Sequence, residues 1–207
     1  MVRERPARKE QIILYQGEAS SGVYVIRSGV VRAYTILSNG SEVNIALYGP
    51  DDYFPIETAY DTAPATLFYY EALTDCVLDN QDIDSFHSAR RTDSTTALAD
   101  SKRYVGALLH VNALGQASAY DKLAHTLRYL AMRFGLALPA KGFIRINVRL
   151  TQQDLANLCT VSRETVSIEL TKLKAKHVVT ERKKMYTVNL PQLNHLLGDD
   201  VDSSLRL

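Results

Sequence analysis

The amino-acid sequence predicts an α+β protein with three parts in order: an N-terminal antiparallel β-sandwich or small barrel, one long helix, and a C-terminal helix-turn-helix followed by a hairpin. Short apolar runs separated by turn residues fill positions 11–77, and such spacing is typical of antiparallel sandwiches and barrels. No proline interrupts positions 93–117, so one helix of roughly six or seven turns fits there. We therefore expect a barrel domain at 1–92, the long helix at 93–117 and a third domain at 118–207.

Composition indicates a globular protein without cysteine chemistry. Hydrophobic residues make up 46% and charged residues 23% of the 207 positions, which is ordinary for a soluble domain. No apolar run approaches the roughly 18 residues that a membrane span needs, and the first ten residues are charged rather than signal-like, so we expect a cytoplasmic protein with no membrane partner. Cys76 and Cys159 are too few for a disulfide framework, a zinc cage or an iron–sulfur cluster, and we expect both to be buried thiols.

Charge is distributed unevenly along the chain. Between Lys141 and Leu190 there are ten Lys or Arg and four Asp or Glu, a net charge of +6, whereas the remainder carries −5. A basic C-terminal module on an acidic remainder is the pattern expected when one part meets phosphate. On charge alone, a solvated basic face explains the pattern equally well.

Turn residues separate the apolar segments of the N-terminal region, as they do in a series of β-hairpins. β-Branched and aromatic residues dominate its apolar segments, and Ser38-Asn39-Gly40 lies between two of them. Asparagine and glycine accept positive φ, so this tripeptide predicts a tight hairpin. Helical character begins after Asn80.

The predicted long helix carries a heptad-like seam. Its two rows are formed by Leu98, Val105 and Asn112 and by Ser101, Leu108 and Gly115. A 3.5-residue repeat packs one helix against another. The partner is either the helix's own domain or a symmetry mate, and the length of the helix favours a homodimer. The candidate dimer contacts are Leu98, Val105, Leu108 and Asn112.

Two further elements precede the basic hairpin and the paired helices. Apolar residues recur at helical spacing over Tyr120–Phe134, and Gly135 is suited to ending that helix. Residues 136–142 indicate a link. From Phe143 to Leu150, apolar and polar residues alternate as in a half-buried strand.

A helix-turn-helix is indicated after this strand. Thr151 with an acid three residues later predicts a capped first helix, and Ser162 caps a second one whose inward positions are Val166, Leu170 and Leu173. Two such helices joined by a short turn place the second helix in the major groove of DNA.

The N-terminal end of this second helix carries base-reading chemistry. Arg163 can donate two hydrogen bonds to guanine, Glu164 can accept one from cytosine, and Ser167 lies on the same exposed face. A hairpin is predicted after the helix, with Arg182-Lys183-Lys184 at its tip. The candidate phosphate contacts are Thr151, Gln153, Ser162, Thr165, Lys183 and Lys184.

The whole chain resembles the CRP/FNR family of bacterial transcription factors. The resemblance lies in GEASSGVYVIRSGVVRAY and NGSEVNIALYGPDDYF, in the long helix, and most specifically in LTQQDLANLCTVSRETVSIELTKLKAKHVV. It implies an N-terminal jelly-roll barrel like that of cyclic-nucleotide-binding domains, a dimerisation helix and a winged helix-turn-helix. It also implies a homodimer that binds a palindromic promoter site in double-stranded DNA and recruits or obstructs RNA polymerase, with Arg163 and Glu164 as the base-reading pair.

The sequence departs from this family at several sites. Ile168 stands where cyclic-AMP-binding members have a second groove-reading arginine; isoleucine can contact a thymine methyl but cannot form the guanine fork. Thr160 stands where the family turn usually has glycine. No lysine or arginine occurs from 38 to 74, so a cyclic phosphate would lack its charge-assisted partner, and the adenine-capping hydroxyls are replaced around Ala107-Leu108. Cyclic AMP is therefore not the expected effector.

No other effector or cofactor is identified by the sequence. The cysteine cluster of the oxygen-sensing branch is absent, and His87 and His110 are expected to be surface or packing residues rather than haem ligands. An aromatic-lined cavity would suit a neutral or aromatic molecule, although filling of an ordinary core is the favoured interpretation. The residues in question are Tyr53, Phe54, Tyr60, Phe68, Tyr70 and Tyr104.

An enzyme is not expected. Metal chemistry in a cupin barrel needs clustered histidines with a carboxylate, whereas the five histidines, at 87, 110, 125, 177 and 195, lie outside the predicted strands. Catalytic residues and metal ligands are therefore not assigned. The alternative function is a signalling adaptor that binds a ligand through its barrel without touching DNA, and the basic C-terminal block disfavours it.

Overall fold

The computed structural model describes residues 3–91 and 96–198, which belong to two compact units, Met1–Ser101 and Lys102–Leu207. The predicted α+β class is confirmed, since β-strands fill the first unit, a long helix follows, and paired helices with a hairpin fill the second. None of the described helices is both long and apolar enough to cross a membrane.

The first unit is a sandwich of two four-stranded antiparallel sheets. Its elements in chain order are β1 (Arg3–Ala7), β2 (Ile12–Leu14), β3 (Val23–Ser28), β4 (Val31–Ile36), β5 (Glu42–Tyr48), β6 (Tyr53–Phe54), α1 (Ile56–Ala59), β7 (Tyr69–Ala72), β8 (Cys76–Gln81) and α2 (Ile83–Arg91). The strand order is β1-β8-β3-β6 in one sheet and β2-β7-β4-β5 in the other. Apolar residues from both sheets, such as Ile26 and Val31, form one buried cluster.

The predicted hairpin at Ser38-Asn39-Gly40 connects β4 to β5. Gly40 has φ +80°, a conformation that glycine adopts without steric cost. The side-chain oxygen of Asn39 accepts a hydrogen bond from the amide of Ser41 at 3.0 Å. The tripeptide therefore supplies both the backbone freedom and the local hydrogen bond that the turn requires.

The described part of the long helix is α3 (Thr96–Leu114). Near its start, the carboxylate of Asp100 accepts hydrogen bonds from the hydroxyls of Tyr53 at 2.9 Å and Tyr60 at 2.7 Å. Arg90 pairs with the same carboxylate at 3.1 Å and lies over the Tyr53 ring. This network binds the first turns of α3 to the end of the sandwich unit, and the sequence did not predict it.

The second unit packs four helices around a small sheet. After α3 come α4 (Ala119–Phe134), β9 (Gly135–Ala137), β10 (Phe143–Ile146), α5 (Gln152–Cys159), α6 (Arg163–Ala175), β11 (Val179–Arg182), β12 (Met185–Asn189) and α7 (Leu190–Leu197). The sheet has the order β11-β12-β10-β9. The fully buried side chains of this unit include Leu127, Ile146 and Leu155.

Two details around α4 differ from the sequence-based expectation. The predicted link begins with a short strand, β9, which pairs with β10. Gly135 ends α4 with φ −84° rather than in the left-handed conformation. Glycine is required there because a Cβ would lie 1.9 Å from the carbonyl oxygen of Ala131 and 2.4 Å from a methyl carbon of Ile144.

The two cysteines are buried free thiols, as predicted. Burial raises the pKa of Cys159 to about 11 and also raises that of Cys76. Both therefore stay protonated and behave as small apolar residues near neutral pH. In the described ranges, no group of three His, Cys, Asp or Glu side chains is placed to hold a metal ion.

Candidate nucleic-acid interface

The candidate interface is built on α5, α6 and the β11–β12 hairpin. At the start of α5, the Thr151 hydroxyl oxygen accepts a hydrogen bond from the amide of Asp154 at 3.0 Å, and the Asp154 carboxylate accepts one from the amide of Thr151 at 2.7 Å. This reciprocal capping box satisfies two amides that a helix N-terminus otherwise leaves unpaired. It fixes where α5 begins.

The turn between the two helices passes through Thr160 in a left-handed conformation. Its φ is 54° and its ψ is 48°, and its amide donates to the carbonyl oxygen of Ala156. The turn therefore keeps the geometry of a glycine turn without the glycine. A β-branched residue here bears a steric cost of roughly 1–2 kcal/mol.

Helix α6 begins after Ser162, whose hydroxyl oxygen accepts a hydrogen bond from the amide of Thr165 at 3.1 Å. The predicted inward positions Val166, Leu170 and Leu173 are each no more than 1% exposed, which confirms the amphipathic interpretation. Because the apolar face is buried, the orientation of the remaining face towards solvent is fixed.

The four predicted base-reading residues occupy that outer face. Arg163, Glu164 and Ile168 are exposed, and Ser167 is half-buried between them. Hydrogen bonding to its own backbone amide and to the Ser162 hydroxyl lowers the pKa of Glu164, with Arg163 adding a favourable charge. A cationic donor and an ionised acceptor thus lie side by side at the helix N-terminus.

The hairpin tip lies beside the start of α5. Arg182 pairs with Met185 across a two-residue turn, in which Lys183 and Lys184 have φ of 52° and 63°. The carbonyl oxygen of Lys184 accepts a hydrogen bond from the amide of Leu150 at 3.0 Å. The backbone of the exposed residues Lys183 and Lys184 is thereby held beside Leu150, the residue before Thr151. The contact involves only backbone atoms and carries no sequence signal.

The remaining predicted phosphate contacts have partners within their own helices. The Gln153 amide donates to Asn157 at 2.8 Å, and the hydroxyls of Ser162 and Thr165 lie 2.9 Å apart and share a hydrogen bond. These side chains hold the two helix starts in place. Gln153 and Ser162 are also exposed.

The predicted dimer contacts lie on an exposed apolar face of α3. Leu98 is 62%, Val105 38% and Leu108 50% exposed. Asn112 is exposed as well, and its side-chain oxygen accepts a hydrogen bond from Gln116 at 2.6 Å. Val111, at 59% exposure, extends the same face.

The six aromatic residues considered for an effector cavity lie in different surroundings. Phe54 and Tyr70 stack at 5.0 Å in the sandwich core, and Phe68 packs against that core. Tyr53 is buried in a second cluster, Tyr60 is half exposed, and Tyr104 is 67% exposed on α3. Core packing accounts for Phe54, Phe68 and Tyr70.

The buried carboxylate of Glu57 forms hydrogen bonds within the sandwich. Glu57, on α1, is 5% exposed; it accepts hydrogen bonds from the amide of Leu67 at 2.7 Å and from the Tyr70 hydroxyl at 3.1 Å. Burial, then the neighbouring Tyr48 and Glu57, raise the pKa of Tyr70, so the phenol remains a donor. The sequence gives no sign of this pairing, because Glu57 and Tyr70 lie 13 residues apart.

Comparison with known proteins matches both units. Residues 4–93 match the family model described as "Cyclic nucleotide-binding domain", and residues 121–196 match "Crp-like helix-turn-helix domain". The regulatory protein HlyX of Actinobacillus pleuropneumoniae is 26% identical over 90% of this chain and 78% of its own length. The nitrogen fixation regulation protein FixK of Rhizobium meliloti is also 26% identical, over 86% of this chain and 77% of its own.

Solved structures share the fold along nearly the whole chain. The structure of FixK2 from Bradyrhizobium japonicum superposes with a TM-score of 0.73 at 23% identity, covering 97% of this chain and 98% of that one. A CRP-family transcriptional regulator from Thermus thermophilus, TTHB099, gives a TM-score of 0.71 at 19% identity, covering 97% and 100%.

Proposed function

The chain belongs to the CRP/FNR family of transcription regulators, and we propose that it binds a palindromic DNA site as a homodimer, with α6 in the major groove, under the control of something other than cyclic AMP. It is a DNA-binding regulator rather than an enzyme. The single observation that carries the proposal is the exposed Arg163–Glu164 pair at the start of a helix whose other face is buried.

Direct reading of a G·C step follows from the chemistry of that pair. The guanidinium group of Arg163 can donate to O6 and N7 of guanine, and the ionised Glu164 can accept from N4 of cytosine. Both are exposed on the same turn of α6. Ser167 and Ile168 lie one turn further along the face and complete the proposed set of base-reading residues.

Phosphate contacts would hold the helix in register. The hydrogen bond from the amide of Leu150 to the carbonyl oxygen of Lys184 supports this proposal, because it brings the hairpin tip beside the start of α5, where the helix dipole favours anions. The N-terminal ends of α5 and α6 would face the DNA backbone, and the proposed phosphate contacts there are Thr151, Gln153, Ser162 and Thr165. A module with a net charge of +6 between residues 141 and 190 suits this contact.

A homodimer is supported by the exposed apolar face of α3. An unpaired stripe of large side chains on a helix is unfavourable in water, and a second copy of α3 at Leu98, Val105, Leu108 and Asn112 would cover it. A two-fold symmetric protein binds two half-sites related by the same symmetry.

The sandwich gives a physical reason to propose an effector other than cyclic AMP. Glu57 already accepts hydrogen bonds from Leu67 and Tyr70, so a ribose hydroxyl would share this carboxylate with two internal donors. Residues 38–74 contain no lysine or arginine to meet a cyclic phosphate. We assign no effector, and we propose that the regulator acts on promoters in the cytoplasm, where it recruits or obstructs RNA polymerase.

Selection from random duplexes tests the proposal. Purified protein is incubated with a library of random double-stranded DNA, with and without cyclic AMP, and bound duplexes are sequenced. We expect a two-fold symmetric sequence with a G·C step in each half, and no change with cyclic AMP. Failure to select any sequence would contradict the proposal and favour the adaptor, which binds a ligand without touching DNA.

A further inference from the structure

The outer face of α6 carries one large apolar side chain that is not packed in the core, that of Ile168. Of the large apolar residues on this helix, Val166, Leu170 and Leu173 are buried, and only Ile168 is exposed, at 57%. A β-branched residue is a poorer helix former than the charged residues common on helix surfaces. Neither packing nor helix propensity therefore explains why isoleucine stands there.

The position of Ile168 relates it directly to the proposed base-reading pair. It follows Glu164 by four residues, so the two side chains are neighbours on one face. One helical turn rises about 5.4 Å and one base pair about 3.4 Å. A side chain one turn after Glu164 therefore reaches base pairs within about two steps of the G·C step.

The two polar side chains that follow Ile168 by three and four residues form hydrogen bonds within α6. Thr171, one turn further along, donates its hydroxyl hydrogen to the carbonyl oxygen of Ser167 at 2.8 Å. The ammonium group of Lys172 is paired with Glu169 at 2.8 Å. The Ile168 side chain itself can make only apolar contact, and thymine is the base that presents a methyl group in the major groove.

We infer that Ile168 is a specificity-determining residue that selects thymine by packing against its 5-methyl group, within two base pairs of the G·C step. The inference rests on the proposed function and adds to it the identity of a second base. Recognition is of the methyl group itself, so 5-methylcytosine at the same place satisfies the contact, whereas uracil and unmodified cytosine do not.

The test removes one methyl group at a time from DNA. In the duplex selected by the wild-type protein, each thymine of a half-site is replaced by deoxyuridine, and dissociation constants are measured by fluorescence anisotropy. We expect one position at which this change weakens binding about fourfold, the effect of one buried methyl group. Replacing that thymine by 5-methylcytosine, opposite guanine, is expected to weaken binding less than replacing it by cytosine.

Protein variants assign the effect to Ile168. In Ile168→Ala the thymine and deoxyuridine duplexes are expected to bind equally, and Ile168→Val should keep part of the preference. Leu136→Ala, which truncates another exposed apolar residue of the same unit, should keep all of it. A preference that persists in Ile168→Ala, or wild-type protein indifferent to every methyl group, overturns the inference.

The proposed function and this inference fail in different ways. If no duplex is selected, both are wrong. If a symmetric duplex is selected whose G·C step depends on Arg163 while no thymine methyl affects affinity, the DNA-binding function stands and the role of Ile168 is wrong.

Discussion

The hydroxyl of Tyr70 donates a hydrogen bond to the buried carboxylate of Glu57, with oxygen–oxygen distances of 3.1 and 3.3 Å to its two oxygens. The amide of Leu67 supplies a further hydrogen bond at 2.7 Å. A buried carboxylate is costly unless such donors surround it. The pair therefore contributes to the stability of the sandwich.

Removal of the Tyr70 hydroxyl should destabilise the sandwich. Tyr70→Phe retains the ring and leaves Glu57 with one donor fewer, so we expect the free energy of unfolding to fall by roughly 1–3 kcal/mol. Urea unfolding followed by circular dichroism measures the change. Tyr69→Phe is the matched control, because Tyr69 is the neighbouring, half-exposed tyrosine of the same strand. Equal losses in the two variants would show that the hydrogen bond to Glu57 is unimportant.

Arg163→Ala should weaken binding to the selected duplex by about 1–3 kcal/mol and relax the preference at one base pair. Anisotropy titrations against every single-base-pair variant of the half-site measure both effects. Arg8→Ala removes an exposed positive charge from the sandwich unit and should leave the preferences intact. A mutant that discriminates all base pairs as the wild type does would exclude Arg163 as a reader.

Lys183→Ala should weaken binding to all duplexes alike. A phosphate contact is sequence-independent, and its loss reduces the slope of log affinity against log salt by about one unit. Titrations of selected and scrambled duplexes over a range of salt concentrations measure this slope, again with Arg8→Ala as the control. A loss confined to the selected duplex would assign Lys183 to a base instead.

Thr160→Gly should stabilise the second unit. Glycine relieves the left-handed strain at φ 54° but adds backbone entropy to the unfolded chain, so we expect a net gain of roughly 0.5–1 kcal/mol. Urea unfolding is the measurement. Thr171→Gly, at a position with helical geometry on α6, should instead be destabilising. A loss of stability in Thr160→Gly would contradict the strain argument.

Leu108→Glu should convert the proposed dimer to a monomer. A carboxylate in the middle of a helix–helix seam faces its own copy across the two-fold axis, where like charges repel and lose water. Sedimentation velocity at micromolar concentration measures the change. Leu37→Glu alters another leucine of similar exposure, on the β4–β5 loop, and should remain dimeric. A monomeric wild-type protein would rule out the proposed interface.

Local signals in the sequence predicted the paired helices well. Capping residues such as Thr151 and Ser162 act within three residues of themselves, so their effect can be recognised without knowing the tertiary fold. The same holds for Val166 and Leu170, whose spacing alone assigns them to a buried face. Arg163 and Glu164 could be placed on the outer face because the inner face was already assigned.

Contacts between distant parts of the chain could not be predicted in the same way. Strand β9 exists because β10 offers it a partner, which three residues of sequence do not reveal. The network at Asp100 joins residues 40 and 47 positions apart. The link between Leu150 and Lys184 uses backbone atoms that every residue possesses. These contacts depend on topology, and the side chains involved have no local pattern.

The turn at Lys183-Lys184 has a consequence for engineering. A two-residue hairpin with both residues at positive φ is the turn that Asn-Gly forms most readily, so a screen for heat resistance should enrich that dipeptide here. Such a screen would discard two positive charges in exchange for a more relaxed backbone. Thermostability and affinity for DNA are thus opposing objectives at this one turn, and a library optimised for the first should be counter-screened for the second.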